Sequence, residues 1–292
     1  MKMHFICFSL TCFGFALPAQ AALNDIYPGD YAAAPAGTNA FVLYGYDRVL
    51  KGNYSQGVNQ NTVKRETNTI VALGARYFDI RDTRSMVSAS VGVTQQKSFD
   101  LTGTTVSPQK ISGETDAKFS FGFWPILIPD QYSLAVNLAH VLPTGDYSAE
   151  ASQNIGQNRT RTGLSFGWWQ KLRPTMIAEV TAEFAKYGTN HSYQNTKGTQ
   201  SQERTEALTL FLSYRNEGKI TPYVGFQWNW GGRYSTNGQP YGQPDQFNRS
   251  YIGARILTAE NIGLHIRYSR DESKFSGLKL SQELAVKITK LF

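Results

Sequence analysis

The chain has 292 residues, 13% of them aromatic, with two cysteines and a formal net charge of +7. Both cysteines, Cys7 and Cys12, fall in a stretch that reads as an export leader, so the rest of the chain excludes a disulfide-stapled fold and thiol chemistry. The basic residues are scattered, with no Lys/Arg cluster, zinc-finger spacing or nucleic-acid-binding motif, which excludes a nucleic-acid partner.

The leader begins with Lys2, continues as an apolar run from Phe5 to Leu17 and Pro18, and ends in Ala19-Gln20-Ala21, an A-x-A cleavage pattern. The run is too short for a membrane helix, which needs about 20 apolar residues. Residues 1–21 are therefore expected to be a cleaved signal peptide, and their loss lowers the formal charge to +6 because only Lys2 leaves. Residues 22–38 are expected as a periplasmic N-terminal segment. Its Ala-rich part, Ala22–Pro35, has the alternative of entering a lumen as a partial plug.

From residue 39 the pattern is one of strands, alternating apolar and polar. Asn39–Tyr46 is apolar on both faces. Thr69, Val71, Leu73, Ala75 and Tyr77 make an apolar face, with Asn68, Gly74 and Arg76 opposite. Val87 to Val93 alternate with Ser88, Ser90, Gly92 and Thr94. Ala117, Phe119, Phe121 and Phe123 alternate with Asp116, Lys118, Ser120 and Gly122. Leu134, Val136 and Leu138 alternate with Ser133, Ala135 and Asn137, and Leu164, Phe166 and Trp168 with Gly163, Ser165 and Gly167. Ala178, Val180, Ala182 and Phe184 alternate with Glu179, Thr181 and Glu183. Leu208 to Tyr214, Val224 to Trp230, Ile252 to Ile256 and Ile262 to Tyr268 continue the pattern. The last strand sets Leu284, Val286, Ile288 and Phe292 against Glu283, Ala285, Lys287 and Thr289, with Lys290 breaking the apolar face. The total is about twelve strands, an even number as in bacterial outer-membrane barrels.

The connections give an independent criterion. Residues 47–66, 95–112, 142–160, 187–203 and 231–248 are long and polar, whereas 79–85, 125–131, 172–175, 215–220 and 258–261 are short, and 270–278 is modest. Short periplasmic turns and long outer loops are the rule in these barrels, and their mean hydropathy is low because only alternate residues face lipid. A soluble sandwich or lipocalin-like barrel has no reason for every second loop to be short. The expected fold is an all-β, up-and-down antiparallel transmembrane barrel spanning 39–292, in the outer membrane of a Gram-negative bacterium. Tyr77, Phe123, Trp168, Tyr214, Trp230 and Tyr268 are expected in the interfacial girdles.

Inward parity then falls on Arg76, Asp116, Lys118, Arg161, Glu179, Glu183, Arg255, His265, Arg267, Glu283 and Lys287. A membrane barrel hides charges only in its lumen, and the lumen of about twelve strands is narrow. Two readings stand: opposed charges neutralise one another as structural plugs, or they form a constricted pore whose field selects solutes, with Glu179 and Glu183 facing Arg255 and Arg267. Tyr223, Tyr251, Phe211 and Trp169 share the lumen parity, either filling the barrel or stacking on an aromatic solute. His140, His191 and His265 stand at no metal-ligand spacing, and no metal or cofactor is expected. Ser148 with His140 is the single pairing that a barrel hydrolase reading offers, and no motif surrounds it.

Several motifs carry a resemblance. Asp30-Tyr31 followed by Pro35-Ala36-Gly37-Thr38-Asn39, then Leu142-Pro143-Thr144-Gly145-Asp146-Tyr147, then Asn154-Ile155-Gly156-Gln157-Asn158-Arg159, then Gly231-Gly232-Arg233 and Asn248-Arg249, stand in an order that resembles the outer-membrane transporters labelled "MetA-pathway of phenol degradation". The resemblance spans essentially the whole chain after the leader. It implies a barrel associated with uptake of aromatic compounds and brings no catalytic residues. Pro143 and Gly145 are suited to stop and turn a strand. Asp146 and Arg159 flank one long loop and are expected to fold it inward as a salt-bridged lid.

The leading expectation is a non-enzymatic channel for passive uptake of small solutes, aromatic or hydrophobic ones in particular. The alternatives are a closed structural or surface-interaction barrel with ligand-binding loops, and a barrel hydrolase. Expected partners are the bilayer with its lipopolysaccharide, the barrel-assembly machinery during biogenesis, and the solute.

Overall fold

A computed structural model describes residues 25–60, 63–100, 108–193, 198–215, 218–241, 243–259 and 261–292. The expected signal peptide, 1–21, lies outside the described residues, as do residues 22–24. Twelve antiparallel strands close into a barrel: β1 (Asn39–Ser55), β3 (Val63–Ile80), β4 (Thr83–Asp100), β6 (Lys118–Ile128), β7 (Tyr132–Val141), β8 (Arg161–Arg173), β9 (Met176–Tyr187), β12 (Thr205–Tyr214), β13 (Ile220–Gly231), β16 (Phe247–Ala259), β17 (Ile262–Lys274) and β18 (Gly277–Leu291). Closure is by β18 on β1, from Ala40 opposite Leu291 to Tyr54 opposite Gly277, and Asn39 N donates to Phe292 O at 2.8 Å. No strand edge is left unpaired along the wall, which is the condition for crossing lipid with strands.

The alternation in the sequence becomes two surfaces. Val91, Phe119, Leu138, Phe166, Val224, Ile252 and Leu284 are exposed on the outer wall. Residues of the opposite parity along the wall strands, Ser90, Ser133, Ser165, Thr181, Gln227, Arg267 and Glu283, are buried inside. An uninterrupted apolar belt of this kind does not persist in water and is matched by a bilayer. The structure is thus an outer-membrane-type β-barrel. Tyr214, Trp230 and Tyr268 lie exposed on that outer wall.

Strand β3 departs from the expected parity. Ile70 is exposed to the outside, while Thr67 is buried, and Tyr77 packs inward on Trp124 with ring centroids 5.8 Å apart. Val71, Leu73, Ala75 and Tyr77 therefore face the lumen, and Arg76 faces outward, where its Nη1 donates to Asn39 Oδ1 at 3.2 Å. Arg76 is not a lumen residue, and Tyr77 is not a girdle residue. The reason is local: β3 is apolar on both faces, so hydrophobicity alone gave it the wrong side.

One end of the barrel is tight. Arg81 and Asp82 make a two-residue turn with φ of 45° and 65°, the left-handed geometry of a type I′ hairpin. Asp130 sits at φ 56° between β6 and β7, and only residues 174–175 separate β8 from β9. The other end is extended, and here the expected connections are corrected. β1, β3 and β4 run far into segments that read as loops, and β17 and β18 enclose all but residues 275–276 of 270–278. Above the membrane both strand faces are wet, so the hydrophobic alternation that marks a strand is lost while the backbone ladder continues. Short strands β2 (Val58–Asn59) and β5 (Gln109–Glu114) lengthen this rim, and β10 (Asn190–Tyr193), β11 (Gly198–Gln202), β14 (Tyr234–Thr236) and β15 (Gln239–Tyr241) form a separate four-stranded sheet from two loops.

Candidate functional site

The lumen is filled in its middle by residues 25–35. The segment is fixed at the tight rim, where Gly37 N donates to Tyr77 O at 2.8 Å and Tyr77 N to Thr38 O at 2.9 Å. It then runs up inside the barrel. Ala34 O accepts from Arg84, and Tyr31 O accepts from Trp124 Nε1 and Ser133 Oγ, both at 2.8 Å. Tyr27-Pro28-Gly29-Asp30 makes a turn, with Gly29 at φ 89° and Asp30 N bonded to Tyr27 O at 3.1 Å. Proline then glycine at the two central positions suits a type II turn. The expected periplasmic placement of 22–38 is thereby corrected for residues 25–35, which lie in the lumen as the alternative expectation had it.

Charges on four strands, β1, β9, β17 and β18, hold this segment. Gly29 N donates to both oxygens of Glu179, at 3.0 and 2.8 Å. Lys287 pairs with Asp30. Arg267 donates to Ile26 O at 3.1 Å, to Asp25 at 2.7 Å and to Glu283 at 2.8 Å, while Arg48 reaches Glu283 at 2.5 Å and Asp25 at 3.4 Å. The Tyr27 ring lies 4.1 Å from the Arg267 guanidinium and 5.1 Å from Lys287 Nζ. Burying charge is costly unless it is paired and hydrogen-bonded; Asp25, Asp30, Arg48, Arg267, Glu283 and Lys287 are ion-paired here, whereas Glu179 takes the Gly29 N–H. The expected transverse field of Glu179 and Glu183 against Arg255 and Arg267 is not how Arg267 is used. Its carboxylate partners are Asp25 and Glu283. Glu183 is buried and accepts from Ser165 Oγ at 3.3 Å. Arg255 faces the lumen near Gly29.

The inward aromatics serve the same segment. Ile26 and Tyr31 pack with Trp124, Phe211, Tyr223 and Tyr251 in one buried cluster. Gly167 leaves the space that the Tyr31 ring takes, for a β-carbon there would collide with it. Trp169 and His265 are likewise buried on the lumen side, His265 with its ring 5.7 Å from Tyr27.

Above and below the segment the lumen opens into two chambers. The outer one, about 340 Å³, is bounded by Tyr44, Tyr46, Arg48, Lys118, Arg161, Tyr234, Tyr251 and Leu280. The inner one, about 540 Å³, is bounded by Tyr77, Met86, Trp124, Arg255, His265, Lys287 and residues 28–35. Both volumes lie in the range of small-ligand pockets.

Over the outer chamber, residues 142–160 are held by Asp116. Its Oδ1 accepts from Gly145 N at 3.0 Å and its Oδ2 from Gln157 N at 3.2 Å, with Arg161 Nη2 3.6 Å away. Gly145 and Gly156 permit the close fold, since a β-carbon on Gly156 would lie 2.7 Å from the Gly145 carbonyl carbon. Asp146 and Arg159 are not paired, which corrects the expected salt bridge. Asp146 Oδ2 accepts from Glu114 N at 2.9 Å. Arg159 donates to Gln157 and Gln202, and lies 5.0 Å from the Tyr187 ring and 5.5 Å from the Tyr234 ring. His140 Nδ1 meets Thr162 Oγ1 at 2.8 Å, while the Ser148 hydroxyl accepts from Glu150 N at 3.3 Å, so the Ser–His pairing is not formed. Among the described residues no group of three or more His, Cys, Asp or Glu side chains could hold a metal ion.

Several lumen residues escaped the sequence reading: Asp25, Tyr27 and Asp30 on the inserted segment, Arg48 on β1, and the pairs Arg249–Asp271 (2.7 Å) and Lys274–Asp245. Arg48 carries a usable signal, for it continues the parity of Tyr44 and Tyr46. The inserted segment has no periodicity, and its two aspartates are informative only once the cations they face are known.

Comparison with known proteins agrees with this architecture. Residues 45–273 match the family model described as "Putative MetA-pathway of phenol degradation". The fold is similar to that of an outer-membrane channel from Pseudomonas putida F1, at a TM-score of 0.83 and 17% identity, covering 92% of this chain and 100% of that one. Less similar are the β domain of the Bordetella autotransporter BrkA, at 0.54 and 11% identity with 88% and 100% covered, and the transport unit of the Escherichia coli autotransporter AIDA-I, at 0.52 and 7% with 90% and 91% covered. No curated protein sequence matches this chain.

Proposed function

The chain belongs to the MetA-pathway of phenol degradation family, and from that premise we propose that it is a channel for passive passage of small solutes, aromatic or amphipathic ones in particular, across the outer membrane of a Gram-negative bacterium. The observation that carries the reading is the lumen: two chambers with aromatic walls and charged groups, separated by residues 25–35. A solute crosses by pushing past or displacing that segment, so the segment is the constriction. Lys118, Glu179, Glu183, Tyr223, Tyr251, Arg255, His265 and Arg267 flank the route at or near it, with Asp116 and Arg161 at its outer mouth. Flux follows the solute gradient. Residues 1–21 direct export and are removed. The barrel-assembly machinery inserts the chain, and the outer rim meets lipopolysaccharide.

The test is single-channel recording in planar bilayers with the refolded chain lacking residues 1–21, joined to swelling of liposomes in phenol or benzoate. Discrete current steps and solute-dependent swelling support the reading. The dense ion pairing of residues 25–35 favours one competing reading, a permanently closed structural barrel. That reading requires no current both with the segment present and with residues 22–35 deleted.

A further inference from the structure

Arg161 stands at the wall of the outer chamber, buried to nine-tenths, and its guanidinium is poorly satisfied. Its nearest carboxylate, Asp116, is 3.6 Å away, too long for a hydrogen bond, and both Asp116 oxygens are already taken by Gly145 N and Gln157 N. Arg161 Nε has no acceptor among the described residues. Arg159, just outside, is buried among neutral partners and rings, and its Nη1 also lacks an acceptor. A buried guanidinium without full pairing is costly, and the cost is relieved by an anion that brings oxygens to it. The other ions around this chamber do not compete for Arg161. Asp245 is held by Lys274, Asp271 by Arg249, and Asp25 by Arg48 and Arg267. The chamber beside Arg161 is lined by Val141, Ile155 and Tyr234, which give an apolar, partly aromatic wall next to the free N–H groups.

We propose that the outer chamber is a binding site for a small organic carboxylate, with the carboxylate on Arg161 and a ring-sized apolar body against Val141, Ile155 and Tyr234. The proposal deepens the channel reading by naming the charge class of the solute, and it rests on that reading for its physiological meaning only. The site itself exists whether or not the barrel conducts.

The experiment is calorimetric titration of the refolded, detergent-solubilised chain lacking residues 1–21 with three probes: benzoate, benzyl alcohol and inorganic phosphate. Benzoate is expected to bind at least 10-fold more tightly than either of the others. Arg161→Gln is expected to weaken benzoate at least 10-fold, and Arg161→Lys to give an intermediate loss by keeping charge without the forked geometry. Retention of the fast-migrating folded band in unheated gels shows that each variant folds. Benzyl alcohol binding as well as benzoate overturns the anion assignment. Phosphate binding as well as benzoate overturns the organic body and leaves a bare anion site. No benzoate binding, or binding unchanged in a folded Arg161→Gln variant, overturns the site. Bilayer recordings separate the two readings: benzoate binding without any current overturns the channel and keeps the site, and current without benzoate binding does the reverse.

Discussion

Removing the Glu179 carboxylate should loosen the inserted segment by an amount that the geometry allows to be worked out. Gly29 N–H is shared between the two Glu179 oxygens at 3.0 and 2.8 Å, and Glu179 is buried. A hydrogen bond of this kind contributes about 0.5–1.5 kcal/mol, which for Glu179→Ala shifts the docked-to-undocked ratio by about 2- to 13-fold. Ile26 reports on docking because it is buried in the aromatic cluster and leaves it only when the segment does. Without residues 1–21 the chain has no cysteine, so Ile26→Cys gives one thiol. A water-soluble maleimide should label it about 2- to 13-fold faster in the Glu179→Ala background, with a matching rise in channel open time. A labelling rate within about twofold of the parent, in a barrel that still migrates as folded, would refute the idea that this bond holds the segment down.

Gly167→Ala should produce the same fast labelling by a steric route, because its β-carbon collides with the Tyr31 ring. Asp116→Ala removes the acceptor of Gly145 N and Gln157 N, so proteolytic nicking within 147–160 should appear while the barrel remains folded. At the turn between β6 and β7, hydrogen bonds from Lys171 and Arg215 hold the Asp130 carboxyl below its usual range. Its stabilising contribution is therefore present above about pH 4 and lost as the pH falls through the lowered value. The difference in thermal stability between the parent and Asp130→Asn should be under about 1 kcal/mol for such exposed pairs, constant near neutrality and absent in strong acid. His140→Ala should leave bilayer currents unchanged, since the His140 side chain bonds Thr162 on the outer side of the rim.

How much of this was legible in the sequence depends on which surfaces each strand touches. Where one face meets lipid and the other meets polar groups, as at Glu179, Thr181 and Glu183 on β9 or His265 and Arg267 on β17, alternation gave the side directly. Strand β3 misled because its inward Val71, Leu73 and Tyr77 are as apolar as its outward Ile70. Those inward side chains meet aromatic neighbours, Tyr77 on Trp124 and Val71 beside Tyr44, instead of water. The outer rim was read as loops because strands wet on both sides keep their ladder and lose their pattern. The lid was assigned to the wrong acid: Asp146 and Asp116 lie in the same neighbourhood, and only the fold shows that Asp116 accepts both backbone donors. Insertion of residues 25–35 has no local code at all. It depends on charges from several strands, the most distant 257 residues away.

That separation has a consequence for how the barrel is made. Asp30 and Lys287 are 257 residues apart, and the pair forms only when the last strand arrives beside the first. The length-dependent entropy of closing such a loop is about 5 kcal/mol. The ion pairs that Glu283 and Lys287 make with Arg48 and Asp30 fall on the same seam as the β18–β1 ladder, so they help to offset that cost at the moment of sealing. The inserted segment is continuous with β1 and surrounded by wall, and threading it into a finished cylinder is harder than folding the wall around it. Residues 25–35 thus act as a mandrel, a central former against which the sheet is rolled. Chains lacking them should seal more slowly during refolding yet reach the same closed barrel through the β18–β1 ladder, read as a delayed fast-migrating folded band.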